Sequence, residues 1–260
     1  MRTIVVINLK GGVGKTTTVI NMAAILAKDH SKKVLLVDAD SQCNTTEFLG
    51  AADVDGSLYT ILTHPYTDID DRFVCCINNI RDKLDVVPAS PRLMQLDLTA
   101  ISSGEVYPAS LRELLLMLAE TEEEPYDICL IDCPPGFTAS CSAALMAADE
   151  VMIPSTLDAF SLSGMANLLA QIQSMRSVNP RLRLLGVLPT IVGKDDTVDT
   201  ALAQLRANRI PVLLPFIPRS EKVNGSTWER EPLSAYSPRS GPGRAYRILA
   251  ERLIGGVVNG

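Results

Sequence analysis

Seven short aliphatic runs, spaced along the chain and separated by stretches of helical periodicity, limit what this sequence can fold into more than any other feature. The runs are 3–7 (TIVVI), 33–38 (KVLLVD), 84–89 (LDVVPA), 127–132 (DICLID), 150–155 (EVMIPS), 182–190 (LRLLGVLPT) and 212–217 (VLLPFI). Helical spacing of apolar residues covers 17–28, 91–100, 109–120, 138–147, 158–176, 196–208 and 241–254. Runs this continuously apolar read as strands buried on both faces, and strands that alternate with helices pair in parallel, since a parallel neighbour requires a crossover. The expected architecture is α/β, a single doubly wound, mostly parallel sheet with helices on both faces. Such sheets bind ligands at the carboxyl ends of their strands, so the polar residues found there are the first candidates for a site. Two stretches, 63–82 and 219–243, read as irregular, the first polar and Asp-rich, the second rich in Ser, Pro and Arg.

With 260 residues, 47% of them hydrophobic, the chain can fill one large core, and a single domain over 1–260 is expected. The net charge of −6 gives no global attraction to polyanions, so any nucleic-acid binding has to use a local basic patch. The first strand starts at residue 3, which leaves no room for a leader peptide, and no run approaches the ~18 apolar residues of a membrane span. A cytoplasmic protein is expected. Cys43, Cys75, Cys76, Cys129, Cys133 and Cys141 form no C-x-x-C pair and read as reduced, mostly structural thiols.

The first run leads directly into KGGVGKTT (10–17), and the helix over 17–28 follows. Strand, glycine-rich loop and helix in this order aim backbone N–H groups and a helix N-terminus at phosphate oxygens. The general pattern G-x-x-x-x-G-K-[ST] is met at Gly14, Lys15 and Thr16, but its first glycine place falls on Leu9. Gly11 and Gly12 supply the small residues instead, with Val13 between them and Gly14. The loop also opens on a second lysine, Lys10, which by residue type alone reads as a solvated surface side chain.

Two other strand ends carry acids. Asp38 and Asp40 lie two apart and so point the same way in extended chain, and Asp132 closes the run 127–132 ahead of Pro134, Pro135 and Gly136. Nucleotide hydrolysis needs a magnesium ion and an oriented water, and carboxylates emerging beside a phosphate loop suit both tasks. Asp38 and Asp132 are the candidates for the metal and Asp40 for the water, while the stiff Pro134–Gly136 turn is a candidate γ-phosphate sensor. Taken singly, each acid reads as a helix cap or turn residue.

The stretches KGGVGKTT, LLVDADSQCNTT, YDICLIDCPPG and the segment from IPRSEKVNG to the last helix resemble the ParA-type partition ATPases, within the larger group that includes MinD-like ATPases and the nitrogenase iron protein. The resemblance spans essentially the whole chain and implies the P-loop fold, ATP and Mg2+ as nucleotide and metal, and slow hydrolysis. It implies a homodimer that sandwiches ATP, with Lys10 reaching across to the partner's phosphates. It further implies that Lys15 binds the β- and γ-phosphates, Thr16 the magnesium and Thr17 the α-phosphate, that Asp40 orients the attacking water, and that Asp132 holds a magnesium-bound water. Pro218 and its neighbours are the expected base-contacting region. Non-specific DNA contacts are expected near Lys194, Arg219 and Lys222, with Arg239, Arg244 and Arg247 as a second basic cluster, and a ParB-like activator and a nucleoid-associated location go with them.

Departures from the family pattern are Ser41 and Cys43 where Pro and Gly are usual, and Gly136 where Ser is usual; they imply a looser or differently shaped switch after the second strand. No helix-turn-helix extension precedes the core, and the tail ERLIGGVVNG is short, glycine-broken and not basic at its end, so membrane recruitment in the MinD manner is the weaker reading. A redox protein like the nitrogenase iron protein is the third reading; it would need two exposed cysteines per subunit at a two-fold axis.

Overall fold

The computed structural model describes residues 1–53, 56–121, 124–193 and 197–256. In chain order its elements are β1 (Arg2–Val6), α1 (Lys15–His30), β2 (Val34–Asp38), α2 (Asn44–Leu49), α3 (Leu58–Leu62), β3 (Asn78–Arg81), β4 (Leu84–Val87), α4 (Leu93–Ser102), α5 (Ala109–Thr121), β5 (Ile128–Asp132), α6 (Ala139–Ala147), β6 (Glu150–Ser155), α7 (Ala159–Met175), β7 (Arg183–Pro189), α8 (Thr197–Ala207), α9 (Lys222–Trp228), α10 (Leu233–Tyr236) and α11 (Gly241–Gly255). The strands form one sheet in the order β3-β4-β2-β5-β1-β6-β7, parallel throughout except for β3, which runs antiparallel to β4 at the edge.

The doubly wound architecture expected from the sequence is therefore present, and alternation within each strand divides the core in two. Val5, Leu35, Val37, Cys129, Ile131, Val151 and Ile153 face one layer, which includes α4 to α8. Ile4, Val6, Leu36, Ile128, Leu130 and Met152 face the other, filled by Met22, Ile25 and Leu26 of α1 and Tyr246, Leu249 and Leu253 of α11. Each such side chain taken fully out of water contributes roughly 1.5–3 kcal/mol, so both helical layers are held by the sheet they cover.

Six of the seven expected strands form. The seventh, 212–217, does not: it makes one isolated bridge, Val187 with Val212, and a second, Val192 with Pro218, lies just past its end. Pro215 and Pro218 have no N–H to give a ladder, so only Leu213 and Ile217 donate to β7, to the Val187 and Pro189 carbonyls. Both stretches read as irregular carry elements. Strand β3 and short 3-10 turns lie within 63–82, and α9, α10 and the start of α11 lie within 219–243.

β1 is central, between β5 and β6, and the chain leaves it towards β2 on one side and later returns to β6 and β7 on the other. The ends of β1, β2 and β5 are brought level by the register Val6–Asp132 and Asp38–Asp132. This is the crevice where an open α/β sheet takes its ligand.

Candidate functional site

The loop after β1 is anchored at both ends by side chains. Asn8 donates its amide to the Pro154 carbonyl (2.7 Å) and accepts the Lys10 N–H (3.0 Å), tying the loop to β6. Further on, Thr190 at the end of β7 donates its hydroxyl to the Val13 carbonyl (2.7 Å). Gly14 has φ +85°, a conformation L side chains avoid, and it turns the chain directly into α1 as its N-cap. It offers no side-chain cap, and the first turn of α1 contains no acid, so the positive end of the helix is open. An added Cβ at Gly11 or Gly12 would meet no atom within 4 Å, which leaves a cradle over the loop that larger residues would fill.

Lys15 is buried, and its Nζ donates to the Lys10 carbonyl (3.1 Å), curled over the loop it belongs to. Burial holds its pKa below the ordinary lysine value, opposed chiefly by the nearby Asp132 carboxylate. Lys10 lies elsewhere: its ammonium pairs with Asp158 at 2.6 Å, just ahead of α7.

The Thr16 and Thr45 hydroxyls both donate to Asp132 Oδ2, at 2.7 and 2.8 Å. Asp132 Oδ1 is buried with no hydrogen-bond partner. Asp38, its register neighbour, has both oxygens engaged: Oδ1 accepts the Asp40 N–H (3.1 Å), and Oδ2 accepts the N–H and hydroxyl of Thr46 (2.8 and 2.7 Å). Desolvation raises the pKa of both acids; the charge of Asp38 adds to the effect on Asp132, and the threonine hydrogen bonds oppose it in each. Asp38 thus holds α2 to the end of β2, while Asp132 keeps an unsatisfied oxygen in the site. A divalent cation that prefers oxygen ligands fits this set, because it would meet the orphaned Oδ1 and the Thr16 hydroxyl at the open helix end and relieve the buried acid pair.

Asp40 is nearly buried, and its Oδ1 accepts the Gln42 N–H (3.0 Å). In the turn it opens, Cys43 takes up φ +56° as N-cap of α2, the left-handed conformation that glycine adopts without strain. A cysteine is thus held where glycine would cost less.

The phosphate loop and Asp40 line a cavity of about 750 Å³, with Asp132 held behind Thr16. One wall is Gly11, Gly12, Gly14, Lys15, Thr16, Thr17 and Asp40; the other includes Pro218, Arg219, Glu221 and Tyr246. Val13, behind the loop, is buried in the core. The structure thus brings together the phosphate loop, Asp40, Asp132 and Pro218. Among the basic candidates, Lys222 is exposed at the start of α9, whereas Arg219 is exposed but also lines this cavity. Arg247 pairs with Asp29 at 2.9 Å, Arg239 and Arg244 are exposed, and Lys194 lies outside the described residues.

Asn8, Thr45, Asp158, Thr190 and Tyr246 were not singled out from the sequence. Thr45 stood inside a recognised stretch, and Asn8 adjoined the loop. Nothing local marks Thr190 or Tyr246, whose hydroxyl meets Thr18 Oγ1 at 3.1 Å from 228 residues away. Cys129 and Cys133 are fully buried, so neither is an exposed ligand for a cluster shared between subunits. No helix among the described residues is long and apolar enough to cross a membrane.

A family model described as an AAA domain matches residues 1–184. The chromosome-partitioning ATPase Soj of Thermus thermophilus is 35% identical over 260 residues, covering 99% of this chain and 97% of the relative. The sporulation initiation inhibitor protein Soj of Bacillus subtilis is 34% identical, covering 96% and 97%. Among solved structures, the cobyrinic acid a,c-diamide synthase of Mycobacterium smegmatis, with a bound ATP analogue and magnesium, superposes with a TM-score of 0.77 at 27% identity over 98% of this chain and 94% of that one. With its full-length likeness to Soj and its lysine-flanked phosphate loop, the chain belongs to the Soj/ParA family of partition ATPases.

Proposed function

We propose that residues 1–260 act as one domain, an ATP-switched dimeric ATPase that positions DNA, whether chromosome, plasmid or mobile element. In this reading it binds DNA without sequence preference in the ATP state, resides on the nucleoid, and is stimulated by a ParB-like partner. The observation that carries the nucleotide part is the pairing of an open helix N-terminus at Gly14–Thr16 with the partnerless oxygen of Asp132. The loop N–H groups and the Lys15 ammonium bind the β- and γ-phosphates. Thr16 would hold magnesium and Asp132 a magnesium-bound water, and the ion when bound would supply positive charge to the phosphate oxygens. Thr17 contacts the α-phosphate, and Pro218 bounds the base. Asp40 orients the attacking water from its fixed turn, so positioning does most of the work. Lys10 leaves Asp158 to reach the partner's phosphates and brings a second positive charge to them.

DNA binding by an acidic chain requires a patch assembled from two subunits, and Lys194, Arg219 and Lys222 are its proposed members. The test is fluorescence anisotropy with random-sequence duplex under ATP, ADP and no nucleotide, at several salt concentrations. Binding is expected only with ATP, with a slope of roughly −4 to −5 in log K against log salt for two or three phosphates neutralised per subunit. Lys222→Ala is expected to flatten that slope by up to about two units. Equal binding without nucleotide, or none with ATP at low salt, overturns the DNA reading.

A further inference from the structure

Thr45 is the second residue of α2 and fully buried, and its hydroxyl donates to Asp132 Oδ2 at 2.8 Å from 87 residues away. A hydroxyl carries one proton, so Thr45 spends it on the acid and has none for the carbonyls behind it, where threonine in a helix often places it. Thr16, in the first turn of α1, donates to the same oxygen at 2.7 Å. Both donors therefore meet Oδ2, while Oδ1 is buried without a partner.

The torsion of a carboxylate about its own bond is broad and roughly two-fold, so an aspartate held by a single donor has little to decide which oxygen faces which way. Two hydroxyls arriving from two different helices fix one choice. The oxygen they leave over is the acceptor available to an ion's water. Thr46, the next residue, shows the contrast. It donates to Asp38 Oδ2 at 2.7 Å, but there the other oxygen takes the Asp40 N–H, and the Thr46 hydroxyl in turn accepts the Ala89 N–H at 2.8 Å. That set is closed and only ties α2 to the strand ends. The Thr45 set is open, and an orphaned buried oxygen in a native fold calls for a partner.

We propose that Thr45 is a positioning residue for the metal: it holds Asp132 with Oδ1 free for a magnesium-bound water, so that magnesium strengthens nucleotide binding. The inference rests on the magnesium role given to Asp132 above and adds the residue that sets the acid's orientation. The same contact joins that acid to the turn bearing Asp40, because α2 starts from Cys43, whose N–H bonds the Asp40 carbonyl at 2.9 Å. Ligands for the metal and for the water are thereby held to one short helix.

Equilibrium binding of a fluorescent ADP analogue to the full-length protein, with Mg2+ and with EDTA, gives the ratio of the two affinities. With ADP, neither turnover nor closure by ATP enters the measurement. Removing an outer-shell partner of a metal costs about 10–100-fold in its affinity, and Thr45 is one of two donors, so Thr45→Val and Thr45→Ala are each expected to lower the ratio about 3- to 10-fold with binding in EDTA unchanged. Thr45→Ser, which keeps the hydroxyl, is expected to restore the ratio. Thr46→Val, which takes a hydroxyl from the same helical turn but from Asp38, is expected to lower the urea midpoint and leave the ratio as it was. A ratio unchanged in Thr45→Val and Thr45→Ala, while Asp132→Asn lowers it, overturns the inference and leaves Asp132 in its role. A ratio lowered equally by Thr46→Val, or no better in Thr45→Ser than in Thr45→Val, also overturns it, because the packing of α2 and not the hydroxyl would then be responsible. A ratio that Asp132→Asn leaves unchanged removes the magnesium role of Asp132 and this inference with it.

Discussion

Before Lys10 can serve a partner's phosphates it has to leave Asp158, and breaking that contact in advance is expected to make the ATP dimer tighter. The pair is 2.6 Å long, with both side chains about 41% exposed, so it sits in well-solvated surroundings. Exposed pairs of this kind contribute about 0.2–1 kcal/mol. Closing a symmetric dimer breaks two of them, so Asp158→Ala is expected to favour closure by about 0.4–2 kcal/mol, roughly a 2- to 30-fold tighter dimer. Thr156, which also donates to Asp158, is only partly buried. The assay is sedimentation velocity of Asp40→Ala against Asp40→Ala/Asp158→Ala over a concentration series with MgATP. Adding Lys10→Ala to both proteins closes a double-mutant cycle, and the gain is expected to vanish there because no lysine remains to be released. At about 1 M salt the two parents are expected to converge, since screening weakens the pair beforehand. A dimer unchanged or weakened by Asp158→Ala, or a gain that persists without Lys10, refutes the reasoning.

Lys15→Ala is expected to lose nucleotide binding while Asp40→Ala keeps it and loses turnover, as read by a fluorescent ATP analogue and phosphate release; equal turnover in wild type and Asp40→Ala would strip Asp40 of its role. The raised pKa values of Asp38 and Asp132 mean that the folded apo protein holds protons the unfolded chain has already released. Their contribution is full below the ordinary carboxylate range near pH 4 and is lost as pH rises through the raised values. The urea midpoint of metal-free wild type should therefore drop from pH 5 to pH 8 relative to Asp132→Asn, whose amide oxygen still accepts from Thr16 and Thr45; a difference between the two that does not change with pH counts against it. Gly186, in β7, has φ +151°, and an added Cβ would stand 2.8 Å from Leu213 Cδ2 and 2.9 Å from the Pro211 carbonyl. Gly186→Ala is expected to cost about 2–4 kcal/mol in chemical denaturation, from strain and overpacking together, and a cost below about 0.5 kcal/mol would show that the neighbouring 211–213 segment yields.

What the sequence determined by itself was whatever depends on neighbours along the chain. Strands such as Val34–Asp38 and Ile128–Asp132 were legible because both faces are buried, which forces continuous aliphatic runs. The loop from Lys10 to Thr17 was legible because a tight phosphate cradle needs glycine at fixed places beside a helix start. The segment 212–217 misled for a physical reason: it has the apolar content of a strand, but Pro215 lacks the donor a ladder needs, and only the neighbouring β7 shows which bonds remain. Strand β3 was invisible because an edge strand of four residues, alternately half-buried and exposed, leaves no apolar run. The tertiary structure alone decided what each acid does. Asp38 and Asp132 look equivalent in sequence, yet Thr46 and the Asp40 N–H satisfy one while two threonines leave the other an empty oxygen. It likewise placed Lys10 on Asp158, Thr190 on the loop, and Thr45 on Asp132. Apart from the local Asp38–Thr46 contact, those outcomes depend on which surfaces meet between elements far apart in the chain, such as Lys10 with Asp158 and Thr190 with Val13, and no spacing within the sequence encodes a meeting of that kind.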